Sequence, residues 1–487
     1  MLLRVGKEDI KVSLKLSGEV LFYASLIFIV GIIFAIIGDK SYLSLFGFFT
    51  AGLLTFITGF ILKKIQTKKE IEQKHSLFAI VIIWLAFCFF ASLPFVIISN
   101  FSFIDAYFDT MSSLTTTGLT VMQPFLDTMP ISLIFWRSFV GWIGGIGIVL
   151  IALIGLMTTY QTTTKLISAE GRGDQLKENL KNAGTKIALI YIGLTIIGII
   201  LLMFCGQNLW QATNYTMSAI STNGMDITTA GLTEINNGWN PVGIHNYFVD
   251  LALVFIMVMG SISFSLYYMV LKKRNLFLFI RDPEFKVLIF LGITGTILLS
   301  LKMNLFDSFF YTFSFFTCGG LTYYSTLQLA NFDEFIKLIL ILLVIVGGCA
   351  GSTSGGIKIS RAIIFLKGIF WKIKSVLLPQ NAFFKKTFDG QSISNDQIKE
   401  INQFILLWII FLIISTAIIV FHGYTMVDSI FEVASAQSNS GLSVGILSID
   451  SPVLIKLTLI FNMFIGRLEI IPIIATIGLI LSLKKKV

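Results

Sequence analysis

Apolar runs of about 18 or more residues recur from Val20 to the C-terminus, and a run of that length crosses the hydrocarbon core of a bilayer as a helix. Of the 487 residues, 55% are hydrophobic and 13% charged, with a mean hydropathy of +0.86. A soluble domain of this size would expose far too much apolar surface, so the expected fold class is an all-α polytopic membrane protein. The first run follows Lys7, Lys11 and Lys15 and has no small-residue cleavage site after it. It therefore reads as a retained helix rather than a signal peptide.

The net charge of +9 raises nucleic acid as a partner, but the distribution argues against it. Most Lys and Arg fall in a few stretches, and no basic residue lies between Lys74 and Arg137 or between Lys186 and Lys272. Short inner loops of a multi-pass protein show this pattern, so the basic face is expected to meet membrane lipid and the cytosol. Lys40, Arg137, Lys302, Lys337, Lys456 and Arg467 are the exceptions. Cys88, Cys205, Cys318 and Cys349 and the three histidines show no metal-ligand spacing. HExxH does not occur and no acid/base pair stands out, so no cofactor and no enzymatic activity are expected.

A short, semi-polar pattern interrupts the apolar runs four times: Phe108 to Thr120, Tyr215 to Asp226, Phe310 to Thr322 and Phe431 to Ser443. Each passes through small or hydroxyl residues to a glycine, namely Gly118, Gly224, Gly320 and Gly441. Their separations of 106 (224 − 118), 96 (320 − 224) and 121 (441 − 320) residues mark a repeat. The expected organisation is an N-terminal helical hairpin (1–74), then helix–re-entrant loop–helix units at 75–164, 165–275, 276–375 and 376–487, with ten spanning helices in all. Every unit begins and ends on the basic inner side. Four parallel repeats predict a pseudo-fourfold pore, whereas inverted repeats would have predicted a rocking carrier.

Irregular backbone within a bilayer must be buried in protein or line a water-filled path. Four such segments therefore point to one shared pathway, where a ring of main-chain carbonyls can replace a cation's hydration shell. The residues placed there are Thr116, Thr117 and Gly118; Thr222, Asn223 and Gly224; Cys318, Gly319 and Gly320; and Asn439, Ser440 and Gly441. A half-helix ahead of each loop would aim its partly negative C-terminus at the ion. Asp105, Asp109, Asp127, Asp226, Glu234, Asp307, Asp333, Asp428 and Asp450 fall on the outer side and are expected to form an acidic vestibule.

Between Gly347 and Gly356, five of ten residues are glycine, which costs a continuous helix about 1 kcal/mol each relative to alanine. Lys358 comes one residue late for a phosphate-binding loop. Arg467 lies in an apolar run and is expected to face the pathway or an acidic partner across the bundle. Glu469, two residues on, lies on a different helical face.

Several of these motifs together resemble the Trk/Ktr/HKT superfamily of potassium transporters. They are TTTGL at Thr115 to Leu119, the Asp-x-x-Ser and Glu-x-x-Ser lead-ins at Asp109 and Glu432, and GLS at Gly441 to Ser443. Trp142 to Gly147, Gly347 to Thr353 and Ile465 to Glu469 add to it. The N-terminal hairpin and Ala169-Glu170 resemble its TrkH/TrkG branch. The resemblance implies potassium uptake across a bacterial inner membrane, with potassium as substrate at the loop residues. It also implies a homodimer and a TrkA-like cytosolic nucleotide-binding regulatory subunit. Gly347, Gly348, Cys349, Ala350, Gly351, Ser352, Thr353, Ser354 and Gly355 correspond to an intramembrane gating loop, and Arg467 to an arginine opposing ion passage. In plant relatives, serine at the first filter glycine accompanies sodium transport, and Gly118 matches the potassium pattern. Asp226 and Cys318 depart from the family's usual residues, so a sodium-permeable member of the fold is the alternative. Passive and proton- or sodium-coupled transport both fit the sequence.

Overall fold

The computed structural model describes residues 6–147, 173–232, 246–379, 384–470, 472–474 and 476–478. Its regular structure is helical apart from a small hairpin, Thr387–Phe388 paired with Gln391–Ser392. The Asp389-Gly390 turn signal supplies its two positive φ angles, 47° and 73°, as a tight two-residue hairpin turn requires.

Helices α1 (Lys7–Asp39) and α2 (Tyr42–Lys63) form the N-terminal hairpin. Their backbones approach closely at small residues: a Cβ on Gly59 would lie 2.4 Å from the Phe22 main-chain nitrogen. Such packing substitutes for the water-driven association that lipid does not provide. Leu26, Ile29, Ile33, Ile37, Phe46 and Phe49 stay exposed on the outer face, as lipid contact allows. Lys69 and His75 converge on the buried carboxylate of Asp9 at 2.9 and 2.8 Å, tying α1 to the third helix.

Four units follow. The first contains α3 (Gln73–Ser99), α4 (Phe103–Leu114) and α5 (Ile131–Gly147). The second contains α6 (Gly173–Phe204), α7 (Leu209–Ile220) and α8 (Tyr247–Ser261), extended by α9 (Phe264–Lys273). The third has α10 (Pro283–Leu299), α11 (Leu305–Phe316) and α12 (Glu334–Val346), extended by α13 (Ile359–Leu377). The fourth has α14 (Asn395–Phe421), α15 (Met426–Gln437) and α16 (Val453–Leu468). Among the described residues five helices are long and apolar enough to cross a membrane, or seven if each bent pair is one span. Residues 148–172 with the Ala169-Glu170 linker, 233–245 with Glu234, and 479–487 lie outside the described residues.

The half-helices α4, α7, α11 and α15 each have 12 residues, about 18 Å at 1.5 Å per residue and too short to span. All four start alike. Ser102, Asn208, Asn304 and Thr425 cap them, each accepting from the main-chain N–H three residues on. Two lysines then pin half-helices to the preceding unit. Lys337 of α12 reaches Asp428 of α15, and Lys456 of α16 reaches Asp105 of α4, both at 2.6 Å. The second contact joins the fourth unit to the first and closes the ring.

The second helix of unit 2 bends by 89° between α8 and α9. The physical reason is a competing set of partners. Carbonyls of Gly260 and Ser261 accept from Thr353 and Cys349, and the Phe264 N–H donates to Gly351, at 3.0 to 3.1 Å. The α12–α13 segment supplies the hydrogen bonds that the break removes.

Lys456→Met leaves Asp105 buried without its ammonium and is expected to lower stability by about 3–5 kcal/mol. Adding Asp105→Asn should recover most of that loss. Unfolding of the two variants in detergent, set against Asp105→Asn alone, measures the coupling.

Candidate functional site

Each half-helix ends in the same backbone turn. Thr116, Thr222, Cys318 and Asn439 adopt left-handed conformations with φ of 54°, 55°, 57° and 54°. The next N–H then folds back: Thr117 to Ser112 O, Asn223 to Ser218 O, Gly319 to Ser314 O and Ser440 to Ser435 O, at 2.8 to 2.9 Å. Gly118, Gly224, Gly320 and Gly441 follow with φ of 92°, 71°, 67° and 87°, a region glycine enters without steric cost.

The four loops meet head to flank in a closed circuit. A Cβ on Gly118 would lie 2.0 Å from Asn223 O, and one on Gly224 would lie 2.9 Å from Gly319 O. One on Gly320 would lie 1.9 Å from Ser440 O, and one on Gly441 would lie 2.0 Å from Thr117 O. Every glycine thus makes room for the carbonyl that precedes the glycine of the next loop. One cavity of about 540 Å³ touches all four glycines.

All twelve loop residues named from the sequence therefore come together. Cys318 needs no special account, because its backbone matches its three counterparts. Gly319 is glycine because Met257 Sδ would lie 2.1 Å from a Cβ there, whereas Asn223 at the equivalent place fills space left by Gly141. Asp127, Asp333 and Asp450 of the expected acidic vestibule are exposed, but four of its acids are engaged within the protein. Asp105 and Asp428 are held by lysines and Asp109 by Arg137 at 2.8 Å. Asp307 accepts from Tyr323 and Tyr324. Of the expected acids among the described residues, only Asp226 lines the cavity.

Gly347 to Gly355 pack directly beneath the ring. Ile357 and Lys358 N–H groups bond to Ile345 and Val346 carbonyls at 2.9 Å and close the loop's base. Above it, the Ser354 hydroxyl donates to Thr317 O at 2.6 Å, and Thr353 Oγ1 lies 2.9 Å from Ile220 O. Gly355 abuts Ser438 O, where a Cβ would come within 1.8 Å. The ends of α7, α11 and α15 are thereby touched by one loop. Arg467, 2% exposed, donates to Thr353 O at 2.5 Å and Gly144 O at 3.0 Å. Gly144 in turn abuts Leu114 O at the end of α4. Among the described residues no carboxylate pairs with Arg467, and Glu469 instead binds Arg361 at 2.7 and 2.8 Å.

Sequence reasoning missed three supports: Arg137 against Asp109, Glu284 accepting from Ala350 N at 2.7 Å, and Arg361 against Glu469. Of these, Arg137 alone is an isolated charge in an apolar stretch, which is the available signal. Among the described residues no group of three or more His, Cys, Asp or Glu is placed to hold a metal ion.

A polytopic helical membrane protein with four re-entrant loops converging on one cavity has the form of a transporter. The sequence matches the TrkH family, described as "Cation transport protein", over residues 44–482, and the chain belongs to that family. It is 30% identical to an uncharacterized cation transporter of Methanocaldococcus jannaschii, over 97% of this chain and 96% of the relative. It is 27% identical to the Trk system potassium uptake protein TrkG of Escherichia coli (88% and 90% covered). To TrkH of Salmonella typhimurium it is 26% identical (83% and 85%). The crystal structure of the potassium transporter TrkH from Vibrio parahaemolyticus shares the fold, with a TM-score of 0.79 at 23% identity over 95% of this chain and 97% of that one.

Gly441→Ala adds a methyl facing Thr117 O at a positive φ and is expected to lose about 1–3 kcal/mol from overpacking. Gly193→Ala, with nothing within 4 Å, should be neutral or slightly stabilising in the same thermal melt.

Proposed function

We propose that this chain takes up potassium across the cytoplasmic membrane through the ring at Gly118, Gly224, Gly320 and Gly441. The observation carrying this reading is the closed circuit itself, in which each glycine admits the next loop's carbonyl. Four carbonyls presented at equivalent positions are hard, uncharged oxygen ligands that suit a dehydrated monovalent cation. The TrkH and TrkG relatives, named as potassium uptake proteins, support potassium as that ion. The matched backbone at Cys318 leaves the ring intact despite the departure in side chain.

In this reading Gly347 to Gly355 form the gate, and Arg467 holds it against Gly144 with a positive charge on the ion's path. Exposed Lys272, Lys273, Lys372 and Lys374 on the inner side offer a basic face to a TrkA-like regulatory subunit of a Trk system. The chain acts as a homodimer with one pathway per protomer.

Ion flux into proteoliposomes tests the reading. Potassium and rubidium should enter well ahead of sodium and lithium, and Gly118→Ser should erode that preference. Equal sodium flux would remove the potassium assignment and leave the fold standing. Arg467→Ala should raise potassium flux if the arginine opposes passage. Loss of folded protein with no change in flux per folded molecule would make it a structural residue.

A further inference from the structure

Two residues past each ring glycine stand Thr120, Asp226, Thr322 and Ser443. Each belongs with the seventh residue of its own half-helix: Asp109, Tyr215, Tyr311 and Glu432. In unit 1 the Thr120 hydroxyl donates to the Asp109 carboxylate. In unit 3 the Tyr311 and Thr322 hydroxyls are 2.8 Å apart, and in unit 4 Ser443 donates to Glu432 at 2.7 Å. Unit 2 reverses the chemistry, with the Tyr215 phenol beside the Asp226 carboxylate.

The reversal moves a negative charge. Asp109 and Glu432 are fully buried behind their loops. The first is neutralised by Arg137, and the second accepts from Ser443 and the Val444 N–H. Asp226 instead lines the cavity that touches all four ring glycines. Arg137 reaches only its main-chain oxygen, at 3.0 Å. Gln123 and Tyr215 flank the carboxylate. Among the described lining residues it is the one carboxylate.

The geometry points to Asp226 as a cation-binding position at the outer mouth of the ring, taking a monovalent cation from water before the carbonyls receive it. This rests on the proposed transport role of the ring. The hydroxyls of Thr120, Thr322 and Ser443 are engaged by their own half-helices, so one unit supplies the charge for all four. A single carboxylate in a cavity of low-dielectric walls raises the local cation concentration. It does so without adding a ligand to the ring itself.

The test is the initial rate of radioactive rubidium uptake by proteoliposomes against external rubidium at fixed ionic strength. Asp226→Asn should raise the half-saturating concentration roughly tenfold, with a smaller change in maximal rate. Asp226→Glu, which keeps the charge, should stay closer to the starting protein. Tyr215→Glu/Asp226→Ser rebuilds the pair of unit 4 and takes the carboxylate off the cavity wall. It should behave like Asp226→Asn, and it carries the test if the single variant does not fold. Added impermeant salt should shrink the difference between charged and uncharged variants.

An unchanged half-saturating concentration in either folded variant overturns the proposal, as does a loss confined to maximal rate. Starting protein that carries sodium as readily as rubidium would instead remove the potassium reading. The same titration run with sodium would then decide on Asp226.

Discussion

Main-chain polar groups in hydrocarbon must find partners within the protein, and the core of this structure answers that requirement. Four half-helices end inside the protein, where the last carbonyls of a helix have no intrahelical donor. The left-handed turns at Thr116, Thr222, Cys318 and Asn439 satisfy part of the demand by returning an N–H to the helix. Hydroxyls of Thr353 and Ser354 meet further carbonyls from below. The remaining carbonyls, at the residues before the ring glycines, are left facing a neighbouring loop. The site is made of the groups that secondary structure does not consume. In the proposed reading, their availability to a cation and their need for burial have one cause.

Buried cations divide into two kinds. Arg137, Lys337 and Lys456 each meet a carboxylate within 2.8 Å, and a buried pair of that sort holds its geometry because neither partner can be left alone. Arg467 meets main-chain oxygens of Thr353 and Gly144 instead. Those oxygens belong to the region under the half-helix C-termini, where the backbone dipoles favour positive charge. A permeating cation and the guanidinium draw on the same field. In the proposed reading the two would exclude one another more strongly than their separation in water would suggest, and that exclusion would make the arginine a gate.

Much of this was readable in advance, for identifiable reasons. The loop glycines stood out because a polar interruption in an apolar chain has few structural uses, and their register proved uniform. The Gly347–Gly356 run was legible because so many glycines cannot continue a helix. The clasps were less visible. Arg137, Lys337, Lys456 and Arg467 were noticed as exceptions to the inner-loop charge pattern, but sequence does not say which carboxylate each will meet. Asp105 lies 351 residues from Lys456. For the same reason Asp105, Asp109, Asp307 and Asp428 prove engaged within the protein rather than free in a vestibule, since side of the membrane is inferred from sequence but pairing is not. The α8–α9 bend had no strong local signal, because Ser261, Ile262 and Ser263 break a helix only when another segment takes their hydrogen bonds.

That bend belongs to a pattern shared by the second helices of all units. Gly144, Gly260, Gly347 and Gly466 each occupy the fourteenth residue counted from the helix starts at Ile131, Tyr247, Glu334 and Val453. Three of them abut the end of their own half-helix, at Leu114 O, Ile220 O and Gln437 O, where a Cβ would come within 1.9 to 2.3 Å. In unit 3 the glycine has φ of 70° and the helix stops, so the chain turns inward and fills the space beneath the ring. The same depth that elsewhere allows helix to pack on half-helix becomes, in one unit, the hinge of a loop. Because the loop then supplies the hydrogen bonds lost at Gly260 and Ser261, withdrawing it from the ring would leave the α8–α9 break unsatisfied. Movement of the loop is thus coupled to the angle of α9.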